Sequence, residues 1–484
     1  MKKNYQATTL LLLIACCVTY AQSIKMELYN PQPFLQGTDT GDMEVVDLDG
    51  DGHMDLISTG SGQFSDGTSH GALTTIYFND GDGDFTAVNN HEIENIRASK
   101  IALADIDTDG DVDFMISGQT HGGTWLTKLY ENDGSGNFDE VVNSEFENLE
   151  GGYFDFGDID GDSDQDIIFS GYDLPNVIAF RNDGSGIYSL VENIGVTNIA
   201  AGVLKLFDAD GDNDLDIIIT GFDQNNQEST RLYTNNGAGA YTIKSNAGFN
   251  AFGFADIATG DSDGDGDLDV FISGDSGINI VSSFYINNGD GTFTLMEDDP
   301  FMDLGAGGET SFNDFDNDGD LDLFIIGSAE GGLPNIFSHI YENQGGNNFI
   351  LSDQFIGAYL STHAVADFDG DGFLDVVIGG TTTGNPVRGS FMYRNTSSSL
   401  STNDVSFSLN TSYPNPTENI INISSNKAQL NRVEIYDVSG KLLSAIDLNT
   451  KTYTLSILNY PSGMYVLRVL SQNNEAITVK IIKK

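Results

Sequence analysis

A chain of 484 residues with 73 acidic and 20 basic side chains, formal charge −53, lacks the clustered cations that nucleic acids or anionic membrane surfaces require. With 39% hydrophobic residues, 30 Phe and 19 Tyr, it is also unlike an acidic disordered segment and can build a packed core. The length allows two or three domains, or one large repeat array with a small companion.

Residues 1–21 read as a secretory signal: Lys2 and Lys3, an apolar run over 10–18, and Thr19-Tyr20-Ala21 before Gln22. The run is too short to cross a bilayer. Leu13-Ile14-Ala15-Cys16 also resembles a bacterial lipoprotein cleavage box, which competes with an ordinary cut after Ala21. Both cysteines, Cys16 and Cys17, fall in this segment, so the cut after Ala21 leaves none. Packing and metal would then replace disulfides as sources of stability.

From there one unit repeats. Acidic loops start at Asp47, Asp105, Asp158, Asp208, Asp261, Asp314 and Asp367, a step of 50 to 58 residues. Such a period signals a propeller or solenoid. In the second unit, Ile101-Ala102-Leu103-Ala104 predicts an inner strand, and Phe114-Met115-Ile116-Ser117-Gly118 a second after the loop. A third is expected over 125–130, a Gly-rich turn over 132–136 and a fourth strand over 138–142. No stretch shows helical periodicity. A second signature, Tyr-x-Asn-x-Gly-x-Gly-x-Phe, recurs in step over 77–85, 130–138, 233–241 and 285–293, with variants over 180–188 and 341–349. The seventh copy stops at Tyr393-Arg394-Asn395, and its missing fourth strand has a candidate in Lys25-Met26-Glu27-Leu28-Tyr29. These features predict an all-β chain with a seven-bladed β-propeller over 22–395, closed by a split last blade that removes free strand edges.

The loops carry the chemistry. Their ligand candidates are Asp47, Asp49, Asp51, His53 and Asp55; Asp105, Asp107, Asp109, Asp111 and Asp113; and Asp158, Asp160, Asp162, Asp164 and Asp166. They continue with Asp208, Asp210, Asp212, Asp214 and Asp216; Asp261, Asp263, Asp265, Asp267 and Asp269; Asp314, Asp316, Asp318, Asp320 and Asp322; and Asp367, Asp369, Asp371, Phe373 and Asp375. Side chains at positions 1, 3, 5 and 9, with the carbonyl of position 7, suit a hard cation such as Ca²⁺, and Gly at position 6 permits the sharp turn. Without a cation each carboxylate pair repels by about 1–4 kcal/mol. An EF-hand is excluded, because position 12 is Ser58 or Ile116 instead of Glu and the flanks are strands. Seven loops in register also set the set apart from an ordinary acidic hairpin. Ser163 and Asn213 replace the position-6 glycine, and Ser tolerates that backbone poorly, so the Asp158 loop is expected to bind most weakly.

Residues 25–395 resemble the FG-GAP/VCBS repeat family, a propeller type also found in integrin α-subunits. The resemblance implies about seven structural calcium sites on one face of the disc and ligand binding on the other. That other face would carry His70, His121 and Trp125, and the turns near Arg97, Lys100 and His363.

The Ser/Thr/Asn-rich stretch 396–412 reads as a linker. Beyond it, 413–484 begins Tyr413-Pro414-Asn415-Pro416, with strands expected over 420–424, 433–437, 463–469 and 477–484, a small Ig-like β-sandwich. The opening motif, the Ile435-Tyr436-Asp437 segment with Gly440-Lys441, and Gly463-Met464-Tyr465-Val466-Leu467 resemble the type A sorting domain of type IX secretion substrates. That resemblance implies the secretion machinery as partner, export across the outer membrane of a Gram-negative bacterium, and release or surface attachment after processing. An immunoglobulin-like adhesion module is the alternative.

Two strings look catalytic. Gly67-Thr68-Ser69-His70-Gly71 matches a nucleophile elbow but lies in a strand connection, not a strand-to-helix turn. Gly274-Asp275-Ser276-Gly277 occupies the slot filled elsewhere by Ser117-Gly118. Trp125, the only Trp, either stacks on a sugar or packs between blades. The expected function is a secreted or surface binding module for glycan, matrix or protein, with no catalytic residue. The alternatives are a polysaccharide-degrading lyase or hydrolase, and a structural surface protein.

Overall fold

The computed structural model describes residues 24–484 except 31, 33–34, 37, 64–69, 89–91, 143–145, 147–151, 172–176, 192, 197–198, 201, 278, 306, 330–331, 384–387, 398–408, 413–416, 418–419, 426–428, 438–440 and 472–475. The signal segment with Cys16 and Cys17, Ser69 of the elbow-like string, and residues 413–416 therefore lie outside the described residues. Contacts divide the chain between Ser397 and Ser398.

The first unit is all-β. Among the described residues it holds seven antiparallel sheets, six of four strands and one of five. In the second sheet the strands Ile96–Ala104, Asp113–Thr120, Trp125–Asn132 and Phe138–Val141 pair in chain order, and the others repeat this arrangement, which is of the β-propeller type. The second strands are near-continuous apolar runs, such as Asp166–Gly171 and Asp216–Phe222, because both of their faces are buried. The last sheet takes its outer strand from the start of the chain: Met26–Leu28 pairs with Arg388–Asn395, Met26 opposite Asn395.

Apolar clusters lie between neighbouring sheets. Ile57 and Ile76 of the first pack with Phe114, Ile116 and Tyr130 of the second. On its other side the first sheet packs Leu56, Tyr77 and Phe85 against Phe368, Val377 and Met392 of the last. The recurrent Tyr of the third strand is buried with its hydroxyl satisfied: Tyr77, Tyr130, Tyr285 and Tyr341 accept the N–H groups of Gln36, Glu94, Asn250 and Met302 at 2.8, 3.0, 3.1 and 2.9 Å.

The second unit contains a three-stranded and a four-stranded antiparallel sheet that share one core, with Ile421, Ile423 and Leu455 from one and Val433, Ile435 and Leu467 from the other. The end of the expected linker is a strand instead. Leu409–Ser412 pairs with Ile420–Ser425, because backbone pairing and β-branched Thr411 serve a strand despite a polar composition.

Candidate functional site

Each acidic loop joins the first strand of its sheet to the second, and side-chain bonds fold it. Position 1 accepts the N–H of position 6 in all seven loops, from Gly52 to Asp47 at 2.9 Å through to Gly372 to Asp367 at 2.9 Å. Position 5 accepts the N–H of position 7, as in His53 to Asp51 at 2.9 Å and Phe373 to Asp371 at 2.9 Å. Position 6 is left-handed throughout, including Ser163 at φ 78° and Asn213 at φ 68°. So is position 4, a requirement the sequence pattern did not disclose: Thr108 and Asn317 adopt φ 63° and 59° there. For β-branched Thr108 this is strained backbone.

Position 9 is tied into the backbone of its sheet. Asp55, Asp113, Asp166, Asp216, Asp269, Asp322 and Asp375 are all buried. One oxygen of each accepts the N–H of loop position 2, such as Leu48 to Asp55 at 2.8 Å. The other accepts the N–H of the recurrent third-strand asparagine, such as Asn79 to Asp55 at 2.9 Å.

That asparagine then donates its side-chain N–H to the position-2 carbonyl of the preceding sheet's loop: Asn132 to Leu48, Asn182 to Ile106, Asn235 to Ile159, Asn287 to Ala209, Asn343 to Ser262 and Asn395 to Phe315. Asn79 of the first sheet donates to Phe368 of the last at 3.0 Å, so the series of bonds returns to its start. The Asn of the second signature is thus an inter-sheet tie that sequence reasoning left without a role. At Gly134 of the same turn, φ +70°, an added Cβ would lie 2.2 Å from the Asp111 carboxylate. Side chains at position 7 occupy this turn and do not join the clusters described next.

In the first four loops positions 1, 3 and 9 bring carboxylate oxygens within 4.8 Å of one another, and in the fifth positions 1, 3 and 5 do so. Several of these oxygens are buried with no hydrogen-bond donor: Oδ1 of Asp105, Asp160, Asp210 and Asp263. Burying an unpaired carboxylate oxygen is costly unless an ion meets it. Burial, reinforced by the carboxylates at positions 3 and 5, pushes Asp55 and Asp113 up to about 6, Asp216 and Asp375 up to about 7, and Asp322 up to about 8. Asp316 at position 3 rises to about 7 through burial, with the charges of Asp318 and Glu342 adding to it. The donor set, all oxygen and anionic, fits a divalent cation and is compatible with calcium.

At the opposite ends of the first strands lies a cavity of about 290 Å³, lined among others by Trp125, Tyr153, Asp256 and Glu309. Adjoining space of about 310 Å³ continues along the same strands past Glu44, Lys205 and His363. Acidic side chains here tie first strands together. Asp42 accepts the Ile101 N–H at 2.8 Å, Asp256 that of Thr310 at 2.8 Å and Glu309 that of His363 at 3.0 Å. Lys100 lies 3.0 Å from Asp42. Burial among these charges, Asp42 foremost, pushes Glu44 up to about 8.

His363 therefore lines the cavity and does not sit on an outer turn. Its Nδ1 is 3.1 Å from Glu309 Oε2 and its Nε2 is 2.7 Å from Ser311 Oγ, and burial depresses its pKa to about 4. Arg97 donates to Gln119 within its own sheet at 3.1 Å, and His121 is an exposed turn residue. Trp125 opens its strand and is half-buried at the cavity, a third possibility beside the two expected. The Ser276 hydroxyl donates to the Asn279 carbonyl at 2.9 Å, within a turn.

Comparison with known proteins agrees with the repeat pattern. The model of the FG-GAP-like repeat matches 47–116, 208–272, 261–325 and 314–378, and that of the secretion system C-terminal sorting domain matches 411–484. No curated relative matches the chain. Similar solved structures include an Agrocybe aegerita lectin described as recognising non-reducing terminal N-acetylglucosamine, with 22% identity and TM-score 0.46 over 66% of this chain and 80% of that one. Another is PorZ, a surface component of the type IX secretion system of Porphyromonas gingivalis, with 13% identity and TM-score 0.44 over 92% of this chain and 59% of that one. The six-bladed fucose lectin of Aleuria aurantia follows, with 11% identity and TM-score 0.39 over 66% of this chain and 97% of that one.

Proposed function

In a chain that carries FG-GAP-like repeats and ends in a type IX sorting domain, we propose a calcium-stabilised, seven-bladed propeller that binds carbohydrate outside the cell. The tail, read as a small Ig-like sandwich, delivers the propeller through the secretion machinery to the outer surface or the medium. The seven sheets and the asparagine ties that return from the first sheet to the last support the blade count. The oxygen clusters with donorless buried atoms support calcium as a structural ion in each loop.

The observation that carries the binding role is the cavity bearing Trp125 and Tyr153 beside Asp256 and Glu309. Aromatic rings stack on the C–H faces of sugars, and carboxylates accept their hydroxyl protons. Asp256 and Glu309 each commit one oxygen to the neighbouring sheet, and no bond among the described residues reaches the other. The volume, at the small end of ligand sites (roughly 300 Å³ and up), suits a terminal sugar better than a long chain. On a glycan array in calcium, the exported protein should bind a defined terminal sugar, and Trp125→Ala should weaken this about tenfold or more. Equal binding by Trp125→Ala, or no glycan bound at all, would contradict the carbohydrate reading.

One observation favours a second reading, a hydrolase. Ser311, His363 and Glu309 line up as hydroxyl, imidazole and carboxylate. Against it, the Ser311 oxygen also accepts the Asn313 amide at 2.8 Å, and an imidazole held near 4 is a feeble base. A fluorophosphonate probe distinguishes the two: labelling of Ser311 that disappears in His363→Ala supports hydrolysis, and an unlabelled Ser311 excludes it.

A further inference from the structure

The residue just before the inter-sheet asparagine differs in charge from sheet to sheet, and its position is fixed. In six of the seven sheets the asparagine ends the third strand at the same register, opposite Phe85, Phe138, Tyr188, Phe293 or Phe349 in five and opposite Met26 in the last; in the fourth, Asn235 directly follows the strand Glu228–Thr234. The residue ahead of it is Arg181 or Arg394 in the third and seventh sheets, and Glu131 or Glu342 in the second and sixth. It is neutral in the other three.

Both arginines reach the acidic loop of their own sheet. Arg181 Nη1 lies 3.0 Å from Asp160 Oδ2, at loop position 3, and is anchored by a 2.8 Å bond from Nη2 to the Ala238 carbonyl. Arg394 Nε lies 2.5 Å from Asp369 Oδ2, again position 3, and its Nη2 lies 3.1 Å from Asp371 Oδ2 at position 5. The position-3 carboxylates are largely buried, with side-chain exposure of 12% for Asp160 and 5% for Asp369. The arginine side chains themselves are 38% and 44% exposed, so solvent screens each pair in part.

The two glutamates hold the equivalent place without such a contact: Glu131 is exposed, and buried Glu342 accepts the Ser352 hydroxyl at 2.8 Å. In the fourth loop Lys244, held by the Asp290 carbonyl, acts on Asp210 from farther away.

We propose that this residue tunes the metal affinity of its loop where it is an arginine, so that the loops of Asp158 and Asp367 are weakened by a built-in cation. The proposal rests on the reading that the loops hold calcium. An arginine supplies part of the neutralising charge that the ion would bring and then repels the ion. The Asp158 loop carries a second handicap in Ser163, an L-residue held at φ 78°. Calcium should therefore load the chain in steps, the two arginine loops last.

Calorimetric titration of the full exported chain with calcium chloride, at fixed ionic strength, tests this. The wild type should show a weak class of two sites, and Arg181→Gln and Arg394→Gln should each move one site out of it with a gain of about tenfold or more. Arginine variants whose isotherms superimpose on that of a calcium-binding wild type would overturn the proposal and leave the calcium reading intact. A wild type that takes up no calcium overturns both.

Discussion

Excess chelator should lower the melting temperature of the propeller unit by roughly 13 °C at neutral pH. With free calcium about tenfold above a weak extracellular dissociation constant, each occupied loop adds about 1.4 kcal/mol to folding. Seven loops then contribute on the order of 10 kcal/mol, similar to the whole net stability of an ordinary domain. An unfolding entropy of about 2.1 cal/mol/K per residue, over some 370 residues, converts this to the stated shift.

The shift has a pH signature. In the metal-free fold the position-9 carboxyls titrate at about 6 to 8, as Asp55, Asp113, Asp216 and Asp322 illustrate, while in the unfolded chain they titrate near 3.9. Between those values the folded state binds more protons than the unfolded state. The stability contributed by these groups is therefore complete below about pH 4 and is lost as pH rises through about 6 to 8. Calcium replaces those protons, so its benefit grows over the same window. Melts in chelator and in calcium at several pH values should converge in acid and diverge at neutrality. A melting temperature that ignores chelator at pH 7 would contradict the metal assignment.

Asp322→Ala should cost about 3 kcal/mol even in chelator. Its two oxygens accept the buried N–H groups of Phe315 and Asn343 at 2.9 and 2.8 Å, and alanine leaves both donors unpaired. It also frees Asn343, whose side chain ties this sheet to Ser262 of the preceding one. Asp320→Ala, two residues earlier at a half-buried position, should change stability little by comparison. Urea unfolding of the two variants without metal separates the roles. If Asp322→Ala unfolds with the wild type there, position 9 serves only the ion and the inter-sheet series is dispensable.

How much of this was legible in the sequence depends on the range of the interaction. The loop from Asp47 to Asp55 is nine residues long, so its ligand pattern and its need for glycine at position 6 show in the local string. The strand Met26–Leu28 could be placed because only one sheet lacked a partner. Position 4 was obscured by Thr108 and Asn317, which hold a glycine-like backbone without being glycine. The asparagine ties join residues 76 to 289 positions apart, and no spacing rule connects Asn79 to Phe368. Nothing in the local string pairs Arg181 with Asp160 or Arg394 with Asp369; the fold brings them together. The cavity is assembled from first strands of different sheets, which is why His363 was placed on a turn when its ring faces Glu309 and Ser311.

Native mass spectrometry of the exported protein tests the central claim most directly, because it counts ions chain by chain. At saturating calcium the mass should correspond to seven bound Ca²⁺, with two leaving first as free calcium falls. A mass with no bound calcium at saturation would contradict it.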